Sequence, residues 1–148
     1  MKVYRMTDGY SCGPRSLQTA FSHYSFYPSY DDVFGICETD INTGTEVDNL
    51  ERASEYFGFN QDVYEDEATP ELIKQYTDDC CPVIVMWFAG GDNHVSVAYK
   101  VDEKFVYLID PSLHLYTEPT ILIRRKMLER CWKAHPSSKW IMAILPPD

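Results

Sequence analysis

Hydrophobic residues follow a helical period in the first half of the chain. Ser11, a residue type favoured at helix N-caps, precedes the first such segment. Apolar positions then recur every three or four residues, at Leu17, Ala20, Phe21 and Tyr24. Pro14 falls in the first turn, where the N–H that proline lacks would have no intrahelical partner. The pattern predicts a helix that begins after Ser11.

Three further segments, at 29–36, 45–58 and 69–76, begin with polar residues that cap helix N-termini. Ser29 and Thr45 each precede an acidic residue by three positions, which is the spacing of a capping box. The third segment begins with Thr-Pro, and proline is favoured at the first helical position. We therefore predict a helix in each segment.

The period changes to that of strands after about residue 80. The continuous apolar run "PVIVMWF" (82–88) is typical of a buried central strand. The segments "HVSVAYK" (94–100) and "KFVYLID" (104–110) alternate around a turn at 101–103. Short strands are also predicted at 115–117, 120–123 and 139–145, with a helix at 124–132.

This order of elements predicts an α+β fold with N-terminal helices packed on a C-terminal antiparallel sheet. The 148 residues suffice for one domain, which we expect to span 1–148. We expect a helical half over about 1–80 and a sheet half over about 81–148.

Charge and cysteine content narrow the classes of partner. The formal net charge is -10, which disfavours nucleic acid and anionic membranes as partners. No run approaches the roughly 20 apolar residues of a membrane span, and the N-terminus lacks a signal peptide, so we expect a cytoplasmic protein. The five cysteines are an odd number and lack zinc-site spacing, so we predict no disulfide framework, no metal and no other cofactor. Nothing in the sequence predicts an oligomeric state.

One cysteine occupies a position that favours chemistry. In "GYSCGPRSL" (9–17), Cys12 is the first residue of the predicted helix, where unsatisfied N–H groups and the helix dipole favour a thiolate. The same N–H groups can face a developing oxyanion. Gly13 leaves the approach to the thiol open. Because free cysteines are more often small buried hydrophobes, a nucleophilic Cys12 requires a base.

His94 is the expected base. Of the four histidines, only His94 begins a predicted strand directly after a glycine-rich turn, "AGGDNH". His23 shares a helix with Cys12 but lies about three turns away. His114 and His135 lie in polar loops near prolines, where solvation is the simpler interpretation.

Hairpin register tests whether a carboxylate can orient this base. A three-residue loop at 101–103 would pair Lys100 with Lys104. The same register places His94 opposite Asp110, on the same face, with Cβ atoms roughly 5 Å apart. Asp110 would then accept the imidazole N–H and fix its tautomer. An even-numbered loop would separate the two onto opposite faces, and "DPS" is also a common turn sequence.

Three segments resemble a known family: "YSCGPRSLQTAF", "GTEVDNLERASEYFGF" and "CPVIVMWFAGGDNHVSVAYKVDEKFVYLIDP". They are similar, over about 3–115, to the bacteriocin-processing peptidases and their standalone relatives, which are papain-like cysteine peptidases. The resemblance implies a papain-like fold, with Cys12 as nucleophile, His94 as general base and Asp110 as the orienting residue. It also implies a peptide or protein substrate between the helical and sheet halves, and in transporter-linked members cleavage follows a double-glycine leader.

The chain departs from this family at one position. The family usually has a glutamine six residues before the cysteine that donates to the oxyanion, whereas this chain has Met6, which has no N–H or O–H to donate. Losing one such donor typically costs about 10²–10³ in rate. Thr7, Tyr10 or the Cys12 N–H could substitute for this donor, and the residues expected to contact the oxyanion or the substrate are Met6, Thr7, Gly13 and Asn93.

Two other functions remain open at this stage. The same three residues serve deamidases and acyltransferases, in which the attacked group or the acceptor differs. Met6 instead favours a catalytically weakened papain-like protein that binds a peptide or protein partner without cleaving it. A regulatory thiol function of Cys37, Cys80 and Cys81 is less favoured, because burial is the default for such residues.

Overall fold

The structure, a computed structural model, describes residues 1–89, 91–112 and 120–148. Within these residues the chain forms five α-helices, six strands and one 3-10 helix. Their bounds are α1 Cys12–Ser22, α2 Tyr30–Ile36, α3 Val47–Tyr56, β1 Gln61–Glu65, α4 Pro70–Asp78, β2 Val83–Ala89, β3 Asp92–Val101, β4 Phe105–Ile109, β5 Thr120–Arg124, α5 Arg125–Ala134, the 3-10 helix Pro136–Ser138 and β6 Trp140–Ile144. Every described helix is too short or too polar to cross a bilayer.

A single six-stranded sheet organises the fold. Its strand order is β1-β6-β2-β3-β4-β5, and all paired neighbours run antiparallel. The last strand of the chain, β6, lies between β1 and β2, and all five of its residues are buried. The C-terminal strand therefore completes the buried central part of the sheet.

Helices cover both faces of this sheet. Alternate residues of β2 enter different cores: Ile84 and Met86 pack with α1, α2 and α3, whereas Val83 and Val85 pack with α4 and α5. The continuous apolar run of β2 follows from this double burial, as expected for a central strand. The α+β fold, with its helices and antiparallel sheet, is confirmed, and α4 and α5 lie on the face opposite the other three helices.

The predicted helix starts after Ser11, Ser29 and Thr69 are confirmed, and the start of α3 lies one residue later than predicted. The Ser29 and Thr69 hydroxyls accept hydrogen bonds from backbone N–H groups three residues later, at 3.2 and 3.1 Å. Ser11 is the N-cap of α1 but its side chain caps nothing. Glu46 rather than Thr45 is the N-cap of α3, because the Thr45 hydroxyl pairs with that of Thr39 at 2.7 Å.

One strand lies in the range expected to be helical. The edge strand β1, with sequence "QDVYE", pairs with β6 but is only half-buried, so it carries no clear apolar alternation. The strands at 120–123 and 139–145 and the helix at 124–132 are confirmed with boundary shifts of one or two residues. The strand predicted at 115–117 and the loop position of His114 lie outside the described residues.

Candidate active site

The thiol of Cys12 lies at the start of α1, where a short preceding loop is held in place. Cys12 is the first helical residue and is half-buried. Just before it, one carboxylate oxygen of Asp8 accepts hydrogen bonds from the N–H groups of Tyr10 and Ser11, at 3.0 and 2.8 Å. Partial burial acts to raise the pKa of Asp8, but hydrogen bonding to Ser11 and Tyr10 and the charge of Arg15 outweigh it, so the pKa is lowered. The ionised carboxylate therefore fixes the loop that leads into Cys12.

A hydrogen bond joins helix α1 to the strand that carries His94. The Ser16 hydroxyl, one turn after Cys12, donates to the backbone oxygen of Val95 at 3.3 Å. Gly13 allows the helix to approach closely, because a Cβ there would lie 2.9 Å from Oγ1 of Thr45. Gly13 is thus required by packing as well as by access to the thiol.

His94 and Asp110 form a short hydrogen bond beside Cys12. Nε2 of His94 lies 2.6 Å from Oδ1 of Asp110, and because an ionised carboxylate can only accept, Nε2 carries the proton. This arrangement leaves Nδ1 for the thiol of Cys12. Burial lowers the pKa of His94, but the bonds to Asp110 and Cys12 outweigh it and raise the pKa to about 9. The geometry therefore favours an imidazolium at neutral pH.

The strand register that brings His94 to Asp110 differs from the predicted one. Near the turn, Val101 pairs with Val106, so the loop has four residues rather than three. A bulge between Ala98 and Lys100 then shifts the register by one residue. This one-residue shift offsets the four-residue loop, which alone would have placed His94 and Asp110 on opposite faces of the sheet. The two residues therefore lie on the same face, as diagonal rather than directly opposed neighbours.

Trp87 covers the imidazole from the neighbouring strand. It pairs with His94 across β2 and β3, and the two rings meet edge to face with centroids 5.5 Å apart. Its indole N–H donates to the Ser96 hydroxyl at 3.1 Å, which fixes the ring. Trp87 is 8% exposed and therefore shields the histidine from water.

Ser112 and Met6 complete the buried side of the His94–Asp110 pair. The N–H of Ser112 donates to Oδ1 of Asp110 at 3.0 Å, and its hydroxyl lies 3.3 Å from Nε2 of His94. The Ser112 hydroxyl also donates to Sδ of Met6 at 3.7 Å. A backbone hydrogen bond of 2.8 Å from Met6 to Pro111 holds the N-terminal segment against this corner.

A cleft of about 550 Å³ opens over Cys12 and His94. Gly13 and Asn93, two of the residues predicted to contact the oxyanion or the substrate, line it. Met6 and Thr7 are not among the described residues that line the cleft. Met6 is only 4% exposed, because it packs against Ser112. Met6 therefore lies outside the lining of the cleft, and its contact with the oxyanion or the substrate stays a prediction.

The other candidate sites lack comparable chemistry. A second cavity of about 640 Å³ lies on the far face of the sheet beside Trp132, with charges of both signs in its walls. Asp48, Glu51 and Glu65 form the one group among the described residues whose ligand atoms could surround a cation. Because Asp48 and Glu65 are exposed, this group is best interpreted as a solvated acidic face.

Sequence reasoning missed Ser112 and the role of Trp87. Ser112 was interpreted only as part of a "DPS" turn, and Trp87 only as core. The signal for Trp87 was its place in a central strand opposite a strand that begins with His94. No local pattern marks Ser112, because its proximity to His94 depends on the bulge in β3.

The chain resembles several solved peptidase structures. It is 18% identical to the peptidase domain of Streptococcus ComA, a bi-functional ABC transporter involved in quorum sensing, with a TM-score of 0.79 and 98% of each chain covered. It is 20% identical to a double glycine motif protease from an AMS/PCAT transporter in complex with the leader peptide, with a TM-score of 0.76 and coverage of 98% of this chain and 91% of that one. It is 12% identical to a C39-like peptidase from Bacillus anthracis, with a TM-score of 0.73 and coverage of 99% of this chain and 96% of that one.

The high TM-scores establish a shared fold. Because all three sequence identities are low, these similarities establish nothing beyond the fold. None of the curated proteins compared with the chain matches it. A family match covers residues 1–135 and includes the positions of Cys12, His94 and Asp110. With this match over most of its length, the chain belongs to the Peptidase C39 family and is a cysteine peptidase-like domain.

Proposed function

We propose that this protein hydrolyses a peptide or isopeptide bond with Cys12 as nucleophile, His94 as general acid and base, and Asp110 as the residue that orients the imidazole. The observation that carries the proposal is the 2.6 Å bond between His94 and the fully buried Asp110, next to a thiol at a helix N-terminus. Each of these features stabilises an ion pair between thiolate and imidazolium.

The reaction would proceed through an acyl-enzyme. The Cys12 thiolate attacks the carbonyl carbon, and the carbonyl electrons move to the oxygen. As the tetrahedral intermediate collapses, the C–N bond breaks and the imidazolium of His94 gives its Nδ1 proton to the leaving amine. The neutral imidazole then takes a proton from water, whose oxygen attacks the thioester. Collapse releases the acid and restores the thiolate and the imidazolium.

The oxyanion would be bound chiefly by the backbone N–H of Cys12. As the first residue of α1, Cys12 has an N–H without an intrahelical partner. The N–H groups of Tyr10 and Ser11 are already engaged by Asp8. Because Met6 supplies no donor, we expect turnover about 10²–10³ below that of a site with a full oxyanion hole.

The substrate class is a peptide or a flexible protein segment. The cleft lies open between the start of α1 and the start of β3, so an extended chain can pass over Cys12. One structural relative was solved with a leader peptide, which supports a peptide ligand here. All five cysteines are free thiols, which fits a reducing compartment, and we place the protein in the cytoplasm.

Two other activities would use the same cleft. A deamidase or an acyltransferase would use Cys12 and His94 in the same way, with a side-chain amide as the attacked group or an amine or thiol as the acceptor. A binding protein without turnover is favoured by the absence of a donor side chain from Met6. Intact mass of the products separates the three, because only hydrolysis yields two fragments whose masses sum to the peptide plus one water.

The proposal is tested by the pH dependence of alkylation by iodoacetamide, mapped residue by residue with mass spectrometry. The chain contains two internal references. Cys80 is exposed and serves as the accessible reference, whereas burial raises the pKa of Cys37 to about 12, so Cys37 should stay unreactive. We expect Cys12 to react well below the pH of an ordinary thiol, which is about 8.5.

The matched variant is His94→Ala. It should shift the Cys12 profile toward that of Cys80 while leaving the Cys80 profile unchanged. If Cys12 and Cys80 titrate together in the wild-type protein, the ion pair is not formed and the proposed peptidase function fails.

A further inference from the structure

We propose that Ser112 is a positioning residue for His94 and that Met6 orients the Ser112 hydroxyl. In this arrangement the Ser112 hydroxyl accepts a second hydrogen bond from the imidazole N–H. The sulfur of Met6 accepts the hydroxyl proton. The inference rests on the proposed peptidase function, since it concerns the orientation of the same base.

The distances define a three-part contact on the side of His94 that faces away from the thiol. Nε2 lies 2.6 Å from Oδ1 of Asp110 and 3.3 Å from Oγ of Ser112. The N–H of Ser112 lies within 3.0 Å of the same Oδ1 atom. The carboxylate and the hydroxyl are therefore held relative to each other by the backbone, and the ring N–H points between them.

The direction of the Ser112 hydroxyl follows from its chemistry. Because Nε2 carries its proton toward Asp110, it cannot accept a hydrogen bond from the hydroxyl. The hydroxyl proton is instead directed to Sδ of Met6, at 3.7 Å. The oxygen lone pairs of Ser112 then face the imidazole. A side-chain amide at position 6 would present both a donor and acceptors and could reverse the hydroxyl.

The hydrogen bonds of the Ser112 hydroxyl are shielded from water. Ser112 is 3% exposed and Met6 is 4% exposed, so water competes little for the hydroxyl. The groups that face His94 are the Cys12 thiol from α1, the carboxylate after β4, and the uncharged ring of Trp87 from β2. Loss of the hydroxyl would leave the imidazole N–H with Asp110 as its one acceptor, at a less constrained angle.

The experiment compares the iodoacetamide profiles of Cys12 in the wild-type protein and in single variants, between about pH 5 and about pH 9. Ser112→Ala removes the hydroxyl but keeps the backbone N–H that binds Asp110. Loss of one hydrogen bond of this kind should lower the Cys12 alkylation rate near neutral pH about fivefold. Ser112→Thr keeps the hydroxyl and should restore most of the rate.

Two further variants isolate the proposed contact. Met6→Leu keeps the volume but removes the sulfur acceptor, and should lower the rate about twofold because thioethers are weak acceptors. Ser54→Ala makes the same change at another buried serine, whose hydroxyl has no hydrogen-bond partner among the described residues, and should leave the profile unchanged. Circular dichroism confirms that each variant is folded, and Met6→Leu carries the test if Ser112→Ala does not fold.

The outcomes separate this inference from the proposed function. If His94→Ala slows alkylation but Ser112→Ala leaves the wild-type profile unchanged, the role of Ser112 is refuted and the peptidase proposal stands. If Met6→Leu alone has no effect, the role of Met6 is refuted. If His94→Ala has no effect on Cys12, the proposed function itself fails.

Discussion

Replacing Gly13 with alanine should destabilise the protein even though alanine is the better helix former. Gly13 lies in the first turn of α1, and a Cβ there would lie 2.9 Å from Oγ1 and 3.0 Å from Cβ of Thr45. It would also lie 3.1 Å from Cδ2 of the fully buried Leu50. Thr45 cannot rotate away without breaking its 2.7 Å hydroxyl contact with Thr39. The added methyl group therefore overpacks this corner.

The magnitude follows from two opposing effects. Overpacking a close contact costs about 1–3 kcal/mol, whereas glycine to alanine in a helix gains up to about 1 kcal/mol. We expect the free energy of unfolding to fall by about 1–2 kcal/mol. For a chain of this length, that corresponds to a Tm lower by roughly 3–8 °C.

Gly35 provides the matched control. It lies in α2, is exposed, and has no atom within 4 Å of an added Cβ. Gly35→Ala should therefore leave stability unchanged or raise it by up to about 1 kcal/mol. Both variants are measured by urea unfolding followed by circular dichroism. A Gly13→Ala protein as stable as the wild type would refute the packing role assigned to Gly13.

Two further predictions concern stability. Because the pKa of His94 is raised from 6.5 to about 9 in the folded state, its contribution is fully present below pH 6.5 and is lost as the pH rises through about 9. Measured in a Cys12→Ser background, where no thiol titrates at position 12, stability should thus fall relative to the same background with His94→Gln across that window, by on the order of 1–3 kcal/mol in urea titrations at several pH values, and parallel curves would contradict the raised pKa of His94. Tyr24→Phe removes a 2.7 Å hydrogen bond from the phenol to the backbone oxygen of Ile144, and should cost about 1 kcal/mol in the same assay. The exposed Tyr27 gives the control, since Tyr27→Phe should change stability by less than about 0.5 kcal/mol, and equal losses in the two variants would contradict the assignment.

Much of the fold was predictable because its elements carry local signals. The cap of α2 at Ser29 and the Thr-Pro start of α4 are short-range features, and both are present in the structure. The edge strand β1 was missed because a half-buried strand lacks a strong apolar period. The prediction that Thr45 caps α3 was wrong because the Thr45 hydroxyl pairs with the hydroxyl of Thr39 instead of with a backbone N–H of the helix.

The candidate site shows where sequence reasoning ends. His94 and Asp110 were matched through hairpin parity, and the structure brings them together, yet both the loop length and the register were wrong. Two errors cancelled, because the four-residue loop is offset by the bulge before Lys100. Tyr99, the residue in the bulge, continues the alternation of its strand and so gives no local signal. Ser112 was unpredictable for the same reason.

Turnover of a peptide tests the central claim most directly. The protein is incubated with a peptide that carries two consecutive glycines after a hydrophobic segment, and the intact masses of the products are followed over time beside the Cys12→Ala variant. The peptidase account predicts slow formation of two fragments whose masses sum to the peptide plus one water, and none with Cys12→Ala, although that variant remains folded. Equal cleavage by both proteins would contradict the role of Cys12. An intact peptide that binds both proteins equally would identify a binding protein without peptidase activity.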